Sequence, residues 1–238
     1  MKIAVFSDIH SNFEALKSVL KDVESQRCDA VYCLGDLVGY GANPNEVIEL
    51  VEDENISTVM GNYDDGIGYE RGDCGCAYLS PIEKENGQSS IDWTTQKTTD
   101  VNKAFLRSLH PKIELNIDNY KVLLVHGSPR RMNEYLYEDR PEKSIRRILE
   151  SLDVDIVVCG HTHKPYHRFI GGVHVINDGS VGKPKDFDPR ACYLILRLDE
   201  NVNPQIRRVN YNVEEAARKI IEAGLPSAFA EALRTRLT

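Results

Sequence analysis

Side chains that bind divalent metals recur along the first two thirds of the chain, mostly beside glycine. The segments are Asp8-Ile9-His10, Gly35-Asp36-Leu37-Val38-Gly39-Tyr40-Gly41, Gly61-Asn62-Tyr63-Asp64-Asp65, His126-Gly127-Ser128-Pro129 and Gly160-His161-Thr162-His163. Any one of them has an ordinary explanation, because an isolated Asp after a strand is usually a turn or a cap and an isolated His is usually structural. Together they contain four of the seven histidines, and the glycines allow sharp turns that let the side chains converge.

The donor types in these segments indicate a two-metal centre. Imidazole mixed with carboxylate oxygen suits a divalent transition metal. Five consecutive strand ends supply seven donors: Asp8, His10, Asp36, Asn62, His126, His161 and His163. Seven donors are too many for one open catalytic metal and fit two metals that share a carboxylate. Two dications with Asp8 and Asp36 leave a net charge of about +2, which suits an anionic phosphate ester attacked by a metal-activated hydroxide. This chemistry needs no covalent intermediate.

Short apolar runs precede these segments and predict the elements that position them. Strands are predicted at 2–6, 30–34, 58–60, 121–125, 156–159, 173–176, 193–198 and 206–211, and helices at 13–23, from Pro44, at 144–152 and at 213–223. Ser11 and Glu14 predict a capping box for the first helix. The first elements alternate as βαβαβ and favour a largely parallel sheet with polar strand ends at one edge. The last three strands are close together and predict antiparallel pairing.

A polar, weakly periodic segment at about 65–114 interrupts the alternation and contains the only tryptophan, Trp93. Its first half is typical of a loop, and 89–109 has helical character. We interpret it as an insertion that covers one face of the sheet, within a single domain spanning 1–238.

The ordered motifs D-x-H, G-D-x₄-G, G-N-x-D, H-G and G-H-x-H resemble those of the calcineurin-like metallophosphoesterase superfamily. Segments 90–94, 105–109 and 177–182 resemble its small prokaryotic phosphodiesterase-like branch. The resemblance implies an α/β fold, a four-layer α-β-β-α sandwich of two packed mixed β-sheets flanked by helices. It also implies two divalent metal ions, with manganese as the first choice and iron, zinc or nickel as alternatives.

The resemblance assigns seven ligands to the two metals. They are Asp8, His10 and His163 at one metal, Asn62, His126 and His161 at the other, and Asp36 bridging both. Asn177 and Ser180 match a family pattern next to the site, with Asp178 in place of its proline, and are expected to hold the loops that carry the histidines.

The third motif departs from the family, since most catalytic members have His where Tyr63 stands. That His is thought to protonate the leaving oxygen or to steady the transition state, and Asp64 would orient it. A phenol with an ordinary pKa of about 10 donates a hydrogen bond but shuttles protons poorly at neutral pH. We therefore predict a preference for activated leaving groups, with Asp36, Asn62, Tyr63 and Asp64 as catalytic candidates. Alternatively, Tyr63 only packs against the insertion.

Charged and thiol side chains outside the motifs give weaker signals. Arg130 and Arg131 are candidates to bind a distal substrate phosphate through their forked donors, or else are solvated loop residues. Lys183 and Arg190 rank behind them. Cys74 and Cys76 are interpreted as ordinary thiols, because no second cysteine pair accompanies them as a metal site would require.

Composition narrows the functional classes. The 238 residues include 29 basic and 37 acidic side chains, and the net charge of −8 argues against general nucleic-acid binding. No apolar run approaches the ~18 residues of a membrane span. The lack of a targeting segment predicts a cytoplasmic protein with reduced cysteines. A homodimer is implied by the resemblance alone.

The leading hypothesis is a dinuclear metal-dependent phosphoesterase, above all a phosphodiesterase, whose substrate is a small-molecule phosphoester, nucleotide or phosphoanhydride. Rival enzymes are a dinucleoside polyphosphate hydrolase and a serine/threonine-type protein phosphatase. Outside enzymes, the rivals are a nucleotide sensor without turnover and a metal-binding scaffold on the same fold, as in the retromer subunit of the superfamily. The complete ligand set argues against a scaffold.

Overall fold

The computed structural model describes residues 1–234, which form two five-stranded sheets with helices outside them. The strands are β1 Lys2–Phe6, β2 Ala30–Cys33, β3 Ser57–Thr58, β4 Lys112–Ile117, β5 Tyr120–Val125, β6 Ile156–Cys159, β7 Tyr166–Ile170, β8 Val173–Asn177, β9 Ala191–Leu198 and β10 Val202–Val209. The helices are α1 Phe13–Gln26, α2 Pro44–Asp53, α3 Asn62–Gly68, α4 Pro81–Lys97, α5 Asp100–Ser108, α6 Glu142–Leu149, α7 Val213–Glu222 and α8 Ser227–Arg234. Within the described residues, no helix has the length and apolar character needed to cross a membrane.

Both sheets are mixed. The first has the order β10-β9-β1-β2-β3, with β1, β2 and β3 parallel and β9 and β10 antiparallel to their neighbours. The second has the order β4-β5-β6-β8-β7, in which β5, β6 and β8 are parallel and the two edge strands are antiparallel. The expected two-sheet fold class is confirmed.

Alternating side chains divide each sheet between two apolar layers, because successive residues of a strand face opposite sides. In β1, Val5 joins Leu124 of β5 in the core between the sheets, whereas Phe6 joins Leu16 of α1 in the outer layer. The second sheet packs its outer face against α6 in the same way. Two sheets and two helical layers thus form the predicted four-layer sandwich.

Several details differ from the sequence-based expectations. The strand at 173–177 does not pair with the two strands after it: β8 lies in the second sheet, whereas β9 and β10 pair in the first. Turn residues between the three strands gave no sign that the chain changes sheets there. Edge strands β4 and β7 were not predicted, because polar or exposed side chains interrupt their apolar pattern. Asn12, rather than Ser11, caps α1 by accepting a hydrogen bond from the Ala15 amide.

The segment at 65–114 is more helical than expected. Helix α4 begins at Pro81, where the Ser80 side chain accepts a hydrogen bond from the Glu83 amide. Ile91 of α4 and Leu106 of α5 are buried in the same apolar layer as α1 and α2. The segment therefore extends the helical layer over the outer face of the first sheet.

Candidate metal centre

The loops after β1, β2, β5 and β6 converge at one edge of the two sheets and bring two groups of predicted ligands together. In each group the donor atoms lie within 4.8 Å of one another. One group is Asp8, His10 and His163, and the other is Asp36, His126 and His161. All six residues are buried, with at most 4% of their surface exposed.

The backbone at the ligands is strained in a way that aims their side chains inward. Five of the six have a left-handed φ, between 49° and 65°: Asp8, His10, Asp36, His161 and His163. Non-glycine residues adopt this region rarely, and several together are typical of functional sites. Gly35 and Gly61 allow two of the loops to touch, since a Cβ at Gly35 would lie 2.3 Å from the Gly61 amide nitrogen.

The first group presents two imidazole Nε2 atoms beside the Asp8 carboxylate. The Nε2 atoms of His10 and His163 are 3.3 Å apart, and Oδ1 of Asp8 lies 3.3 Å from that of His163. Each ring donates its Nδ1–H to a backbone carbonyl, from His10 to Val38 at 3.0 Å and from His163 to Lys183 at 2.6 Å. These bonds leave the Nε2 lone pairs free for a metal.

The second group has the same design and includes Asn62. His126 donates its Nδ1–H to the Leu34 carbonyl at 2.8 Å, and its Nε2 lies 3.2 Å from Nδ1 of His161. The Asn62 side-chain NH₂ donates to the Cys74 carbonyl at 2.8 Å. This bond turns the Asn62 oxygen toward the centre, where Oδ1 lies 3.0 Å from Nε2 of His126.

Asp36 lies between the two groups. Its Oδ2 is 3.4 Å from Nε2 of His126 and 3.8 Å from Nε2 of His10. The structure thus brings all seven predicted ligands together, with Asp36 at the position expected of a shared carboxylate.

The donor set fits divalent metals. Oδ1 of Asp8 and Nε2 of His161 are buried and have no hydrogen-bond partner in the described part of the chain, a costly arrangement unless something binds there. Burial lowers the pKa of His10 and His163, and burial with the nearby charge of His126 lowers the pKa of His161 to about 2. Neutral imidazoles are the form that binds metals.

His126 differs from the other three histidines. Burial alone would lower its pKa, but the Asp36 carboxylate outweighs that effect and raises it to about 10. A metal bound beside Asp36 would therefore displace a proton from this ring.

Asn177 and Ser180 contact the loops that carry the ligands. Asn177 donates to the Gly160 carbonyl at 2.6 Å, next to His161. The Ser180 hydroxyl donates to the Asp8 carbonyl at 2.8 Å and accepts from the Lys183 amide at 2.9 Å. These contacts are the ones expected of residues that hold the loops.

Asp178 extends this support to the Asp8 side chain. The Ser7 hydroxyl lies 2.5 Å from Oδ2 of Asp8 and 2.8 Å from Oδ1 of Asp178. The Ser7 hydroxyl has one proton, so it can donate to only one of these carboxylates. Burial and the charge of Asp8 raise the pKa of Asp178 well above its usual value. A protonated Asp178 can donate to Ser7, which then donates to Asp8.

Asp64 holds the backbone around Asp36. Its oxygens accept hydrogen bonds from the amides of Asp36 at 2.8 Å, Leu37 at 2.9 Å and Gly61 at 2.9 Å. Burial and the neighbouring Asp36 carboxylate raise its pKa to about 7. The contacts are those of a positioning residue, and its catalytic role stays a prediction.

Tyr63 is buried at the edge of the centre. Its ring meets His10 edge-on with centroids 5.2 Å apart and lies 5.0 Å from Tyr40, while its amide donates to the Asp36 side chain at 2.8 Å. Its hydroxyl is buried and has no hydrogen-bond partner among the residues that the structure describes. Burial and the nearby Tyr40 raise its pKa well above the usual value, so it is a neutral donor.

The peripheral arginine candidates are engaged elsewhere or exposed. The Arg130 guanidinium pairs with Glu134, Arg190 pairs with Asp188 at 2.6 Å, and Arg131 is exposed. Sequence reasoning missed two neighbours of the centre. Tyr135 stacks on His161 with centroids 4.0 Å apart, and no motif signals it. Cys76 lies 3.3 Å from the Asn62 amide nitrogen, and its position in a polar stretch was the only clue.

Comparisons with known proteins agree with this fold. The sequence profile of the calcineurin-like phosphoesterase superfamily domain matches residues 1–201. The chain is 36% identical to the uncharacterized protein MJ0912 of Methanocaldococcus jannaschii, over 97% of this chain and 96% of that protein. The crystal structure of a metallophosphoesterase from Sphaerobacter thermophilus matches with a TM-score of 0.79 and 30% identity over 100% of both chains.

A second solved structure shows the same fold at lower identity. It is the hypothetical protein PH1004 of Pyrococcus horikoshii, with a TM-score of 0.84 and 21% identity over 98% of this chain and 97% of that one. Fold and donor set together define a metallophosphoesterase. The protein belongs to the calcineurin-like phosphoesterase superfamily.

Because the ligands form two groups, removal of a ligand from one group should cost the protein only the metal of that group. We expect about two metals per chain after manganese loading, and about one in His10→Ala, because only one group loses a donor. Metal content is measured by inductively coupled plasma mass spectrometry after desalting. His174→Ala, which alters a half-buried imidazole paired with His167, is the matched control. Full occupancy in His10→Ala would contradict the two-group arrangement.

The amide contacts of Asp64 predict that an isosteric substitution of this residue destabilises the protein. Asp64→Asn places an NH₂ group against backbone N–H donors, and the free energy of unfolding should fall by about 1–3 kcal/mol. Urea denaturation measures the change. Asp65→Asn is the neighbouring control, since Asp65 pairs with the exposed Arg71 and such pairs contribute about 1 kcal/mol or less. Equal losses in the two variants would refute the role given to Asp64.

Proposed function

We propose that the protein is a dinuclear metal-dependent phosphoesterase that hydrolyses phosphodiester or phosphoanhydride bonds of small molecules, nucleotides above all. The observation that carries this proposal is the convergence of seven buried metal donors, two of which have atoms with no hydrogen-bond partner among residues 1–234. A scaffold that had lost catalysis would have no need to keep such a costly set. The net charge of −8 favours a small substrate over nucleic acid.

Each residue of the centre has a task in this proposal. Bound divalent metals, with manganese as our first choice, would supply Lewis acidity and lower the pKa of water. The residues that would hold them are Asp8, His10 and His163 on one side and Asn62, His126 and His161 on the other, with Asp36 shared. Asp64 keeps the Asp36 loop in position through its three amide contacts.

Tyr63 makes the proposed reaction depend on the leaving group. Its neutral hydroxyl can donate a hydrogen bond to a phosphoryl oxygen, but its raised pKa makes it a poor source of protons at neutral pH. Substrates whose leaving groups depart as stable anions are therefore favoured. The leaving alkoxide of a serine phosphate is a poor one, which argues against a protein phosphatase.

Hydrolysis of bis-p-nitrophenyl phosphate and p-nitrophenyl phosphate by manganese-loaded protein tests the proposal. We expect faster cleavage of the diester. Asp36→Asn should lower kcat/KM by at least about 100-fold, because the shared carboxylate is lost. His174→Ala serves as the matched control. Cleavage of neither compound, or activity that survives in Asp36→Asn, would contradict the proposal.

Replacing Tyr63 by His tests the leaving-group argument. Tyr63→His should raise the rate for poorly activated aryl phosphodiesters by ~10-fold or more relative to the nitrophenyl ester, since it restores a proton donor. The readout is the slope of log kcat against the pKa of the leaving phenol. Tyr63→Phe keeps the ring and removes only the hydroxyl. An unchanged slope in Tyr63→His would show that residue 63 takes no part in protonation.

A further inference from the structure

Two lysines in the loop after β8 lie beside the metal centre, and their backbone is anchored to it. The Lys183 carbonyl accepts the Nδ1–H of His163 at 2.6 Å, and the Lys185 amide donates to the His163 carbonyl at 3.2 Å. Ser180 ties the Lys183 amide to the Asp8 backbone. The two side chains therefore start from fixed points at the rim of the first ligand group.

Both ammonium groups are close enough to act electrostatically on the centre. The charge of Lys183 contributes to the lowered pKa of His10 and His163, and that of Lys185 to the lowered pKa of His161 and His163. The Tyr40 ring that the Lys183 ammonium contacts lies edge-on to His10, with ring centroids 5.0 Å apart. The Lys183 side chain therefore lies beside the first ligand group.

Neither ammonium has a carboxylate within ion-pair distance among residues 1–234, although acidic residues follow directly in the chain. Asp186 pairs with Arg208, and Asp188 pairs with Arg190 at 2.6 Å. The contact of the Lys183 ammonium is the face of the Tyr40 ring, 4.0 Å from its centroid. Such a pair of cations, kept together without a counter-ion, is electrostatically prepared for an anion.

A narrow, open cleft lies beside Lys183. It is lined by Lys183, His10, Tyr40 and Ser11, with Phe229 of α8 on one side. Glu14 also lines it, and its carboxylate pairs with Lys219 at 2.6 Å. The Ser11 hydroxyl is buried and, within residues 1–234, has no hydrogen-bond partner. Helix α8 lies beyond residues 1–201, so this wall is an addition to the matched family domain.

We propose that Lys183 and Lys185 form a subsite for a second phosphate of the substrate, next to the phosphoryl group at the metal centre, and that the substrate is a phosphoanhydride. This inference rests on the proposed phosphoesterase function. Ammonium groups bind phosphate as point charges and need no fixed approach direction. The subsite narrows the substrate class to compounds with two adjacent phosphates, whether nucleoside diphosphates or inorganic chains.

Anhydride hydrolysis also suits the residues that are present. The oxygen of water forms a bond to one phosphorus, and the P–O bond to the bridging oxygen breaks with its electron pair going to the leaving phosphate. The proton from water passes to solvent, and nothing is oxidised or reduced. The leaving phosphate is a stable anion held by the lysines. It therefore does not need to be protonated as it leaves, and the weak acidity of the Tyr63 hydroxyl does not slow the reaction.

Calorimetric binding of ligands that lack a phosphoanhydride bond tests the subsite without anhydride turnover. Metal-loaded protein in excess manganese is titrated with AMP, α,β-methylene-ADP and methylenediphosphonate. We expect α,β-methylene-ADP to bind at least ~10-fold more tightly than AMP, as two charge-assisted contacts allow. In Lys183→Met/Lys185→Met this preference should fall to about one, and Lys183→Arg/Lys185→Arg should restore it.

The matched control is Lys143→Met/Lys164→Met, which removes the same charge at two exposed lysines and should keep the preference. No preference in the wild type, or one that survives in the Lys183/Lys185 methionine variant, would overturn the subsite. Comparable affinity for methylenediphosphonate and α,β-methylene-ADP indicates an inorganic source, and tighter binding of the nucleotide indicates a nucleoside diphosphate. Cleavage of bis-p-nitrophenyl phosphate is scored separately, so failure of the proposed function is distinguishable from failure of the subsite.

Discussion

The structure depends on one costly arrangement, the burial of two carboxylates among imidazoles that are largely neutral. Removing Asp8 and Asp36 from water is unfavourable unless positive charge compensates. Residues 1–234 supply only part of that compensation, since Oδ1 of Asp8 has no hydrogen-bond partner among them. Bound dications would complete it. Much of the surrounding architecture holds these ligands in place before the metals arrive, through left-handed backbone at the ligands, Nδ1–H bonds to carbonyls and the amide contacts of Asp64.

The two-sheet topology makes this arrangement possible. Parallel strands β1 and β2 end at the same edge of the first sheet, and β5 and β6 do so in the second, so loops from both sheets meet. The chain then crosses from β8 in the second sheet to β9 in the first. That crossing carries Ser180 to the Asp8 backbone and the Lys183 carbonyl to His163. If β8 and β9 were joined by a simple hairpin, Asp8 and His163 would lack these two hydrogen bonds.

The ligands could be predicted from sequence, whereas their supports could not, for a physical reason. Asp8, Asp36 and His126 come within two residues of the end of an apolar run, so strand pattern and residue type place them together. The Cys74 carbonyl that orients Asn62 is backbone, and no side-chain pattern reports it. The contact of the Lys185 amide with the His163 carbonyl depends on the crossing of the chain between the sheets, which no local periodicity encodes. Strand β7 was missed because it is an edge strand, with Phe169 64% exposed where a core strand would be buried.

Two departures from the expected site have one chemical explanation under the proposed function. Tyr63 stands where a proton donor is expected, and the lysine pair adds charge that a simple ester does not require. With an alkoxide leaving group, Tyr63 would slow the reaction and the lysine pair would contribute little. With a phosphate leaving group, protonation becomes unnecessary and the lysines stabilise the departing anion. The tyrosine and the lysines are then consistent parts of one design, in which the leaving group supplies the stability that a general acid otherwise provides.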